Sequence, residues 1–370
     1  MTDPIEPRPR TRRLRAALLG TMAALACGEL GLRVLGYTPH FVNPIASFHV
    51  PDAEIGLCGR PGFTGRFAQT EFDVQIELDA RGFRKVTPSP VRAERRLFVL
   101  GDSFTWGWGV DPGQGFVDRL ADAYPNVQVE NLGLSGTGTV IAHRLLARHV
   151  LPELRAGDGV LLVTFENDLA DNLGRNHDRW LHAAVVDGTV TTVAAPEADR
   201  AGEVKAWLKQ HCCLFNLAVF VADRFKLSRK QARASVEDRS PPVDARPVDA
   251  DEELVYRHYL TLIRDQVSAC GATFAITCIP PRGLYEGGPP GGDAERMRHR
   301  AMLDVPRDLG IPCLDLLPGL SVPIAADAEP RTFAFDEHWT ATGHRIAADA
   351  MIPFVAALLG GTDGQGVTHR

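Results

Sequence analysis

The period of hydrophobic and polar positions changes several times along the 370 residues. An uncharged, largely apolar stretch runs from Ala16 to Gly28. Residues 37–92 are rich in Gly and Pro and carry short alternating runs such as Phe72-Asp73-Val74-Gln75-Ile76-Glu77-Leu78, which predict half-exposed strands in a β-rich preamble. A strand–helix rhythm then begins. Arg96 to Leu100 predicts a buried strand, Phe116 to Tyr124 a helix, Val127 to Leu132 a second strand, about Val140 to Leu154 a helix, and Gly159 to Phe165 a third strand. The rhythm breaks between about 170 and 250. That interval holds Trp180, a possible hairpin about Asp187-Gly188, an amphipathic stretch from Val204 to Lys226, and an irregular segment from Ser240 to Asp244, and is expected to be an insertion after the third strand. A helix from about Asp251 to Cys270 and a strand from Ala272 to Ile279 follow. Then come a loop at Gly287 to Gly292, a helix to about Leu309, a strand from Ile311 to Leu316 and a helix from about Ala341 to Leu359. Such alternation with short turns predicts a parallel sheet covered on both faces within 93–360. Residues 361–370 read as a disordered tail.

Charge adds a location. Arg8, Arg10, Arg12, Arg13 and Arg15 precede the uncharged stretch, so they stay on the cytoplasmic side and the rest is exported. Two readings of residues 1–36 stand. One is a signal peptide cut at the small-x-small site Ala24-Leu25-Ala26. The other is a retained anchor whose helix extends through Leu35, with Glu29 and Arg33 paired near the far membrane surface. Cys27 lacks the flanking residues of a lipid-modified cysteine, and Arg12-Arg13 lacks those of a twin-arginine signal. With 45% hydrophobic and 23% charged residues and a net charge of −6, the chain is a packed globular protein without the broad basic face that nucleic acid requires. Seven cysteines show no stapling pattern. Cys278 and Cys313 fall in two apolar segments that are candidates for neighbouring strands, as free thiols or as a pair.

The chemistry sits at strand ends. Leu100-Gly101-Asp102-Ser103-Phe104-Thr105 follows the first strand, where an open parallel sheet places ligands. Asp102 and Ser103 also suit a plain helix cap. Asn131-Leu132-Gly133-Leu134-Ser135-Gly136 ends the second strand, Phe165-Glu166-Asn167-Asp168 ends the third, and Phe335-Asp336-Glu337-His338-Trp339 stands near the C-terminus. His344 reads as structural, Glu166 or Asp168 as loop-ordering, and Trp106 and Trp108 as packing or as walls of a sugar or acyl site. His177, His182, His211 and Cys212-Cys213 lack metal-ligand spacing, and no P-loop is present, so neither metal nor cofactor is expected.

This order of motifs resembles the SGNH (GDSL-like) hydrolase family over about 95–359, the insertion excepted. The resemblance implies a flavodoxin-like three-layer α/β domain of about five parallel strands. It makes Ser103 the nucleophile and His338 the general base, oriented by Asp336. The oxyanion hole would be formed by the Ser103 amide, the Gly136 amide and the Asn167 side chain. A serine hydroxyl is a poor nucleophile until a neighbouring base takes its proton, and losing one oxyanion donor costs about 3 kcal/mol in comparable sites. Asp336 and His338 are two apart where the family more often has three, so their segment must be extended rather than helical, with Thr340 or Thr342 capping the last helix. The shorter spacing resembles exported polysaccharide O-acetylation proteins. The stretches Pro51 to Gly56 and Ala80 to Arg84 resemble the preamble of membrane-anchored bacterial relatives. Three functions follow as expectations. They are a serine esterase acting on short acyl esters of an envelope glycan or other carbohydrate, an O-acyltransferase working beside a membrane acyl donor with a membrane-bound acyltransferase as partner, and a non-catalytic envelope binding protein.

Overall fold

Without a charged residue between Arg15 and Glu29, the N-terminal apolar stretch has nothing to interrupt a helix, and α1 spans Arg10–Val34. Its part Leu14–Val34 is long and apolar enough on average to cross a membrane, as a signal sequence or an anchor would be, and is not buried by the rest of the chain. The computed structural model describes residues 10–37, 48–69, 71–88, 93–176, 179–196, 200–234, 247–286, 292–325 and 328–360. The segment from Ser240 to Asp244, most of the loop at Gly287, the tail 361–370 and His177 lie outside the described residues.

The preamble forms two antiparallel hairpins, β1 (His49–Asp52) with β2 (Gly56–Gly59) and β3 (Thr64–Ala68) with β4 (Asp73–Glu77). Alternation buries Val74 and Ile76 beneath β4 while Asp73 and Gln75 face water. These side chains join Phe48, Phe63, Phe67, Phe72 and Leu78 in a small aromatic core closed by Trp106, which stacks on Phe48 at 5.0 Å. The preamble is therefore welded to the chain just after Ser103.

The apolar runs that follow become β5 (Arg95–Gly101), α2 (Ser103–Trp106), α3 (Phe116–Ala123), β6 (Val127–Gly133), α4 (Thr139–Leu145), β7 (Gly159–Thr164) and α5 (Asn167–Asp171). The predicted helix to Leu154 is α4 followed by a turn of π-helix over Leu146–Val150. The interval after α5 holds the expected hairpin, β8 (His182–Val186) with β9 (Thr189–Val193). Trp180, Leu181 and Ala183 join the main core, so this hairpin packs on the α/β domain. The amphipathic stretch is two helices broken at Cys212, α6 (Arg200–His211) and α7 (Cys213–Ala234). The rhythm ends with α8 (Ala250–Ala269), β10 (Thr273–Cys278), α9 (Asp293–Asp308), β11 (Cys313–Asp315), α10 (Leu317–Leu320) and α11 (Ala341–Leu358).

Five parallel strands lie in the order β11-β10-β7-β5-β6, the flavodoxin-like order. Strands β5, β7 and β10 are buried on both sides, as their unbroken apolar sequences require. Helices α4, α8 and α9 cover one face and α3, α10 and α11 the other, giving three layers. From β5 the chain passes to β6 on one side and then to β7 on the other. The switch point thus falls between the C-terminal ends of β5 and β7, beside Ser103 and Asn167. Cys278 and Cys313 are unpaired thiols with sulfurs 3.6 Å apart on adjacent strands.

Close approach of α2 to β6 explains one glycine. A Cβ on Gly133 would lie 2.3 Å from the Trp106 backbone nitrogen. Gly133→Ala is expected to lower stability by about 1–3 kcal/mol, seen as a lower urea midpoint with unchanged slope. An unchanged midpoint would mean that α2 has room to move off the sheet.

Candidate active site

Sharp turning after β5 sets the position of Ser103. Asp102 caps α2, its carboxylate accepting the Phe104 N–H at 2.9 Å, and Gly107 closes the single turn in the left-handed region at φ 82°. Capping and chemistry are therefore compatible readings of the Asp102-Ser103 pair. Asn131 steadies α2 from below: its amide donates to the Thr105 carbonyl at 2.7 Å, and its oxygen accepts the Gly133 N–H at 2.9 Å.

The segment bearing Asp336 and His338 is non-helical, and Thr340 caps α11 by accepting the Gly343 N–H at 3.4 Å. Asp336 and His338 accordingly face the same way. The Asp336 carboxylate accepts Nδ1–H of His338, which leaves Nε2 to accept the Ser103 hydroxyl at 2.6 Å. The second oxygen of Asp336 takes the Trp108 indole N–H at 3.0 Å, and the Trp108 ring stacks 5.1 Å from the imidazole. Trp108 thus lines the site, whereas Trp106 points away into the preamble core.

Several contacts pin this loop from outside. Glu71, between β3 and β4, accepts the successive N–H groups of Ala334 at 2.6 Å, Phe335 at 3.0 Å and Asp336 at 2.9 Å. Three adjacent amides converging on one carboxylate make an anion nest. Arg282, beyond β10, donates to the carbonyls of Phe333 and Ala334 at 3.0 and 3.2 Å, and Glu286 accepts from the Thr332 N–H at 3.0 Å. The preamble therefore shapes the site, which its sequence did not disclose. A lone Glu in a polar turn reads as solvated surface until the nest is seen.

Ser103, Gly136, Asn167 and His338 line one cavity of about 350 Å³, with Asp336 directly behind the imidazole. The other walls include Phe104, Trp108 and Phe165, together with Trp180 ahead of β8 and His49 from β1. The Asn167 amide donates one N–H to Asp171 at 2.8 Å, leaving the second for a ligand. Asn172, fully buried, joins the two loops: it accepts the Val140 N–H at 3.0 Å and donates to the Thr139 hydroxyl at 2.6 Å. His344 is structural: it is buried and accepts the Phe116 N–H at 3.2 Å. His182 and His211 each bond a carbonyl two and four residues away, and among the described residues no cluster of metal-ligating side chains occurs.

Burial by itself would raise the Asp336 carboxyl, but the His338 charge and the bonds from His338 and Trp108 overcome it and hold the group at about 2. For His338 burial opposes the charged form, yet Asp336, Asp102 and Glu337 outweigh it, and the imidazole lies above its ordinary 6.5. Burial pushes Asp102 up to about 6 and Asp171 up to about 7. Asp168 is raised by burial and by its neighbours Asp102 and Asp171. A hydroxyl bonded to an imidazole that is backed by an ionised carboxylate is an arrangement for proton removal from serine.

The description GDSL-like Lipase/Acylhydrolase family covers a sequence profile that matches residues 99–346. None of the curated proteins compared matches the chain. Among solved structures, it is similar to a lipolytic protein of the G-D-S-L family from Veillonella parvula, with 13% identity over 70% of this chain and 97% of that one and a TM-score of 0.40. It is also similar to the acetylxylan esterase Axe2 from Geobacillus stearothermophilus, with 14% identity over 73% and 96% and a TM-score of 0.39. A putative lipolytic protein from Desulfitobacterium hafniense shares 11% identity over 70% and 98%, with a TM-score of 0.37. The profile spans both halves of the sheet and all four motifs, and the chain belongs to the GDSL-like lipase/acylhydrolase family of serine acyl hydrolases.

Proposed function

We propose that this protein is an exported, membrane-tethered serine esterase that removes short acyl groups, acetyl foremost, from a carbohydrate or cell-envelope glycan. The observation that carries the chemistry is the 2.6 Å contact of the Ser103 hydroxyl with His338, itself bonded to Asp336. In this reading His338 takes the hydroxyl proton as Ser103 attacks the ester carbonyl. The oxyanion meets the amides of Ser103 and Gly136 and the free N–H of Asn167, and His338 returns the proton to the departing alcohol. Water then resolves the acyl-serine by the reverse sequence. Export and tethering are supported by α1 and its basic flank. The carbohydrate substrate is supported by export and by the aromatic walls of the cavity.

A second reading, acyl transfer to a sugar hydroxyl from a membrane-bound donor, is favoured by one feature. Phe104, Trp108, Phe165 and Trp180 give the cavity aromatic walls, which leave fewer polar partners for an ordered water near the acyl-serine. Supplying purified protein with an acyl donor and a glycan acceptor, and comparing transfer with hydrolysis, separates the two.

Ser103→Ala is expected to abolish turnover of p-nitrophenyl acetate and labelling by a fluorophosphonate probe, while wild type is labelled at Ser103. Retained turnover in the variant would overturn the assignment.

The pH profile follows from the raised imidazole. Only neutral His338 can act as base, so kcat/KM is expected to rise with pH through a midpoint above 6.5. Asp336→Asn removes the carboxylate that raises the imidazole most, while burial still lowers it. The midpoint should then move to lower pH, with kcat falling by about 10⁴-fold as in comparable triads. A midpoint that does not move contradicts the coupling.

Glu71→Ala frees three loop amides without touching the cavity. We expect kcat to fall by about 10- to 100-fold with little change in KM, because a displacement of about 1 Å misaligns the base. The acid limb should also move down as His338 loosens from Asp336. Equal kcat in the variant would show that Arg282 and Glu286 suffice.

A further inference from the structure

Helix α1 is clamped where it meets the rest of the chain. The Glu29 carboxylate accepts the N–H groups of Cys213 at 3.1 Å and Leu214 at 2.9 Å, the opening turn of α7, where a carboxylate is favoured. Arg33 pairs with Glu29 and donates to the His211 carbonyl at 2.6 Å, the last residue of α6. The Tyr37 hydroxyl donates to Asn216 at 2.8 Å. The anchor thus grips the junction of α6 and α7. Among the described residues, α6 and α7 pack chiefly on each other and on α1 rather than on the α/β domain.

Several apolar side chains of the hairpin are open to solvent. Val204 and Trp207 lie one turn apart on α6; Ala218, Val221, Ala222 and Phe225 form one stripe on α7 at i, i+3, i+4 and i+7. Val204, Trp207, Val221 and Phe225 are each 56–59% exposed. The stripe ends at an exposed cation, Arg229, stacked 4.6 Å over Phe225. Residues 200–234 carry eight Lys and Arg against two Asp and Glu, in a chain whose net charge is −6. A helical hairpin that exposes Trp207 on one helix and Phe225 on the other, with a basic surplus, has the composition of an element lying in a membrane interface.

Depth agrees with composition. Glu29 lies five residues before Val34, the end of the apolar segment. At about 1.5 Å per residue, the α6–α7 junction sits roughly 7 Å below that end. Interfacial helices bury their apolar side by about 5–10 Å.

We propose that the α6–α7 hairpin is a second membrane contact, an interfacial element that docks its apolar stripe and basic residues on an anionic leaflet where α1 emerges. The inference rests on α1 lying in the bilayer and is independent of the esterase reading. Two attachments, one through α1 and the preamble and one through an insertion between β9 and α8, hold the cavity in a fixed orientation over the leaflet. A single flexible tether would not.

The test uses the full chain reconstituted in phosphatidylglycerol-containing vesicles whose lipids are brominated near the headgroup, with flotation and tryptophan fluorescence read together. We expect the chain to float and its emission to be quenched. Trp207→Phe should still float but lose most of the quenchable emission, since Trp106, Trp180 and Trp339 are buried and Trp108 is half-buried in the wall of the cavity. Adding Phe225→Trp to that variant should restore quenching, and vesicles of phosphatidylcholine alone should reduce it severalfold. A chain that floats with equal quenching in wild type and Trp207→Phe, or with none, overturns the second contact. Equal quenching in both lipids overturns the anionic preference. Failure to float overturns the anchor on which it rests.

Discussion

A proton can pass between Ser103 and His338 only while two loops, 235 residues apart in sequence, hold their side chains within 2.6 Å. Neither loop is rigid alone: one is a single helical turn at a strand end, the other an irregular segment before the last helix. The rest of the architecture answers that constraint. Asn131 and Gly133 seat α2 on β6, Trp106 ties it to the preamble, and Glu71, Arg282 and Glu286 fix the loop that carries Asp336 and His338. Trp108 belongs to both sides, stacking on the imidazole while bonding the carboxylate behind it.

The electrostatics fit the same arrangement. Asp336 receives several bonds and stays ionised, whereas Asp102, Asp168 and Asp171 are buried and hold protons to higher pH than exposed carboxyls do. One negative group is thereby held against the imidazole, while the others contribute less charge at moderately acidic pH. Asp171 has a second use, since it binds one hydrogen of the Asn167 amide and so sets the direction of the other.

Most of the sheet was legible in the sequence because doubly buried strands write unbroken apolar runs and their ends carry Gly, Asn, Asp and Ser. The convergence of Ser103 with Asp336 and His338 was implied by the family resemblance, and the period of an extended segment allowed the carboxylate to reach the imidazole. What escaped detection depends on contacts distant in sequence. Glu71 acts only through amides more than 260 residues away, and His49 and Trp180 enter the cavity from segments whose packing no local period encodes. The break at Cys212 was hidden because the stretch is amphipathic on both sides of it, and the carboxylate that caps the first turn of α7 comes from the distant Glu29.

The central claim is that one hydroxyl carries the acyl group between ester and acceptor. Acid quenching of the enzyme during turnover of an acetyl ester, followed by intact-mass and peptide analysis, tests it most directly. A gain of one acetyl group is expected, confined to the peptide that contains Ser103. Turnover with no acetylated protein, or with the acetyl group on any other residue, would contradict it.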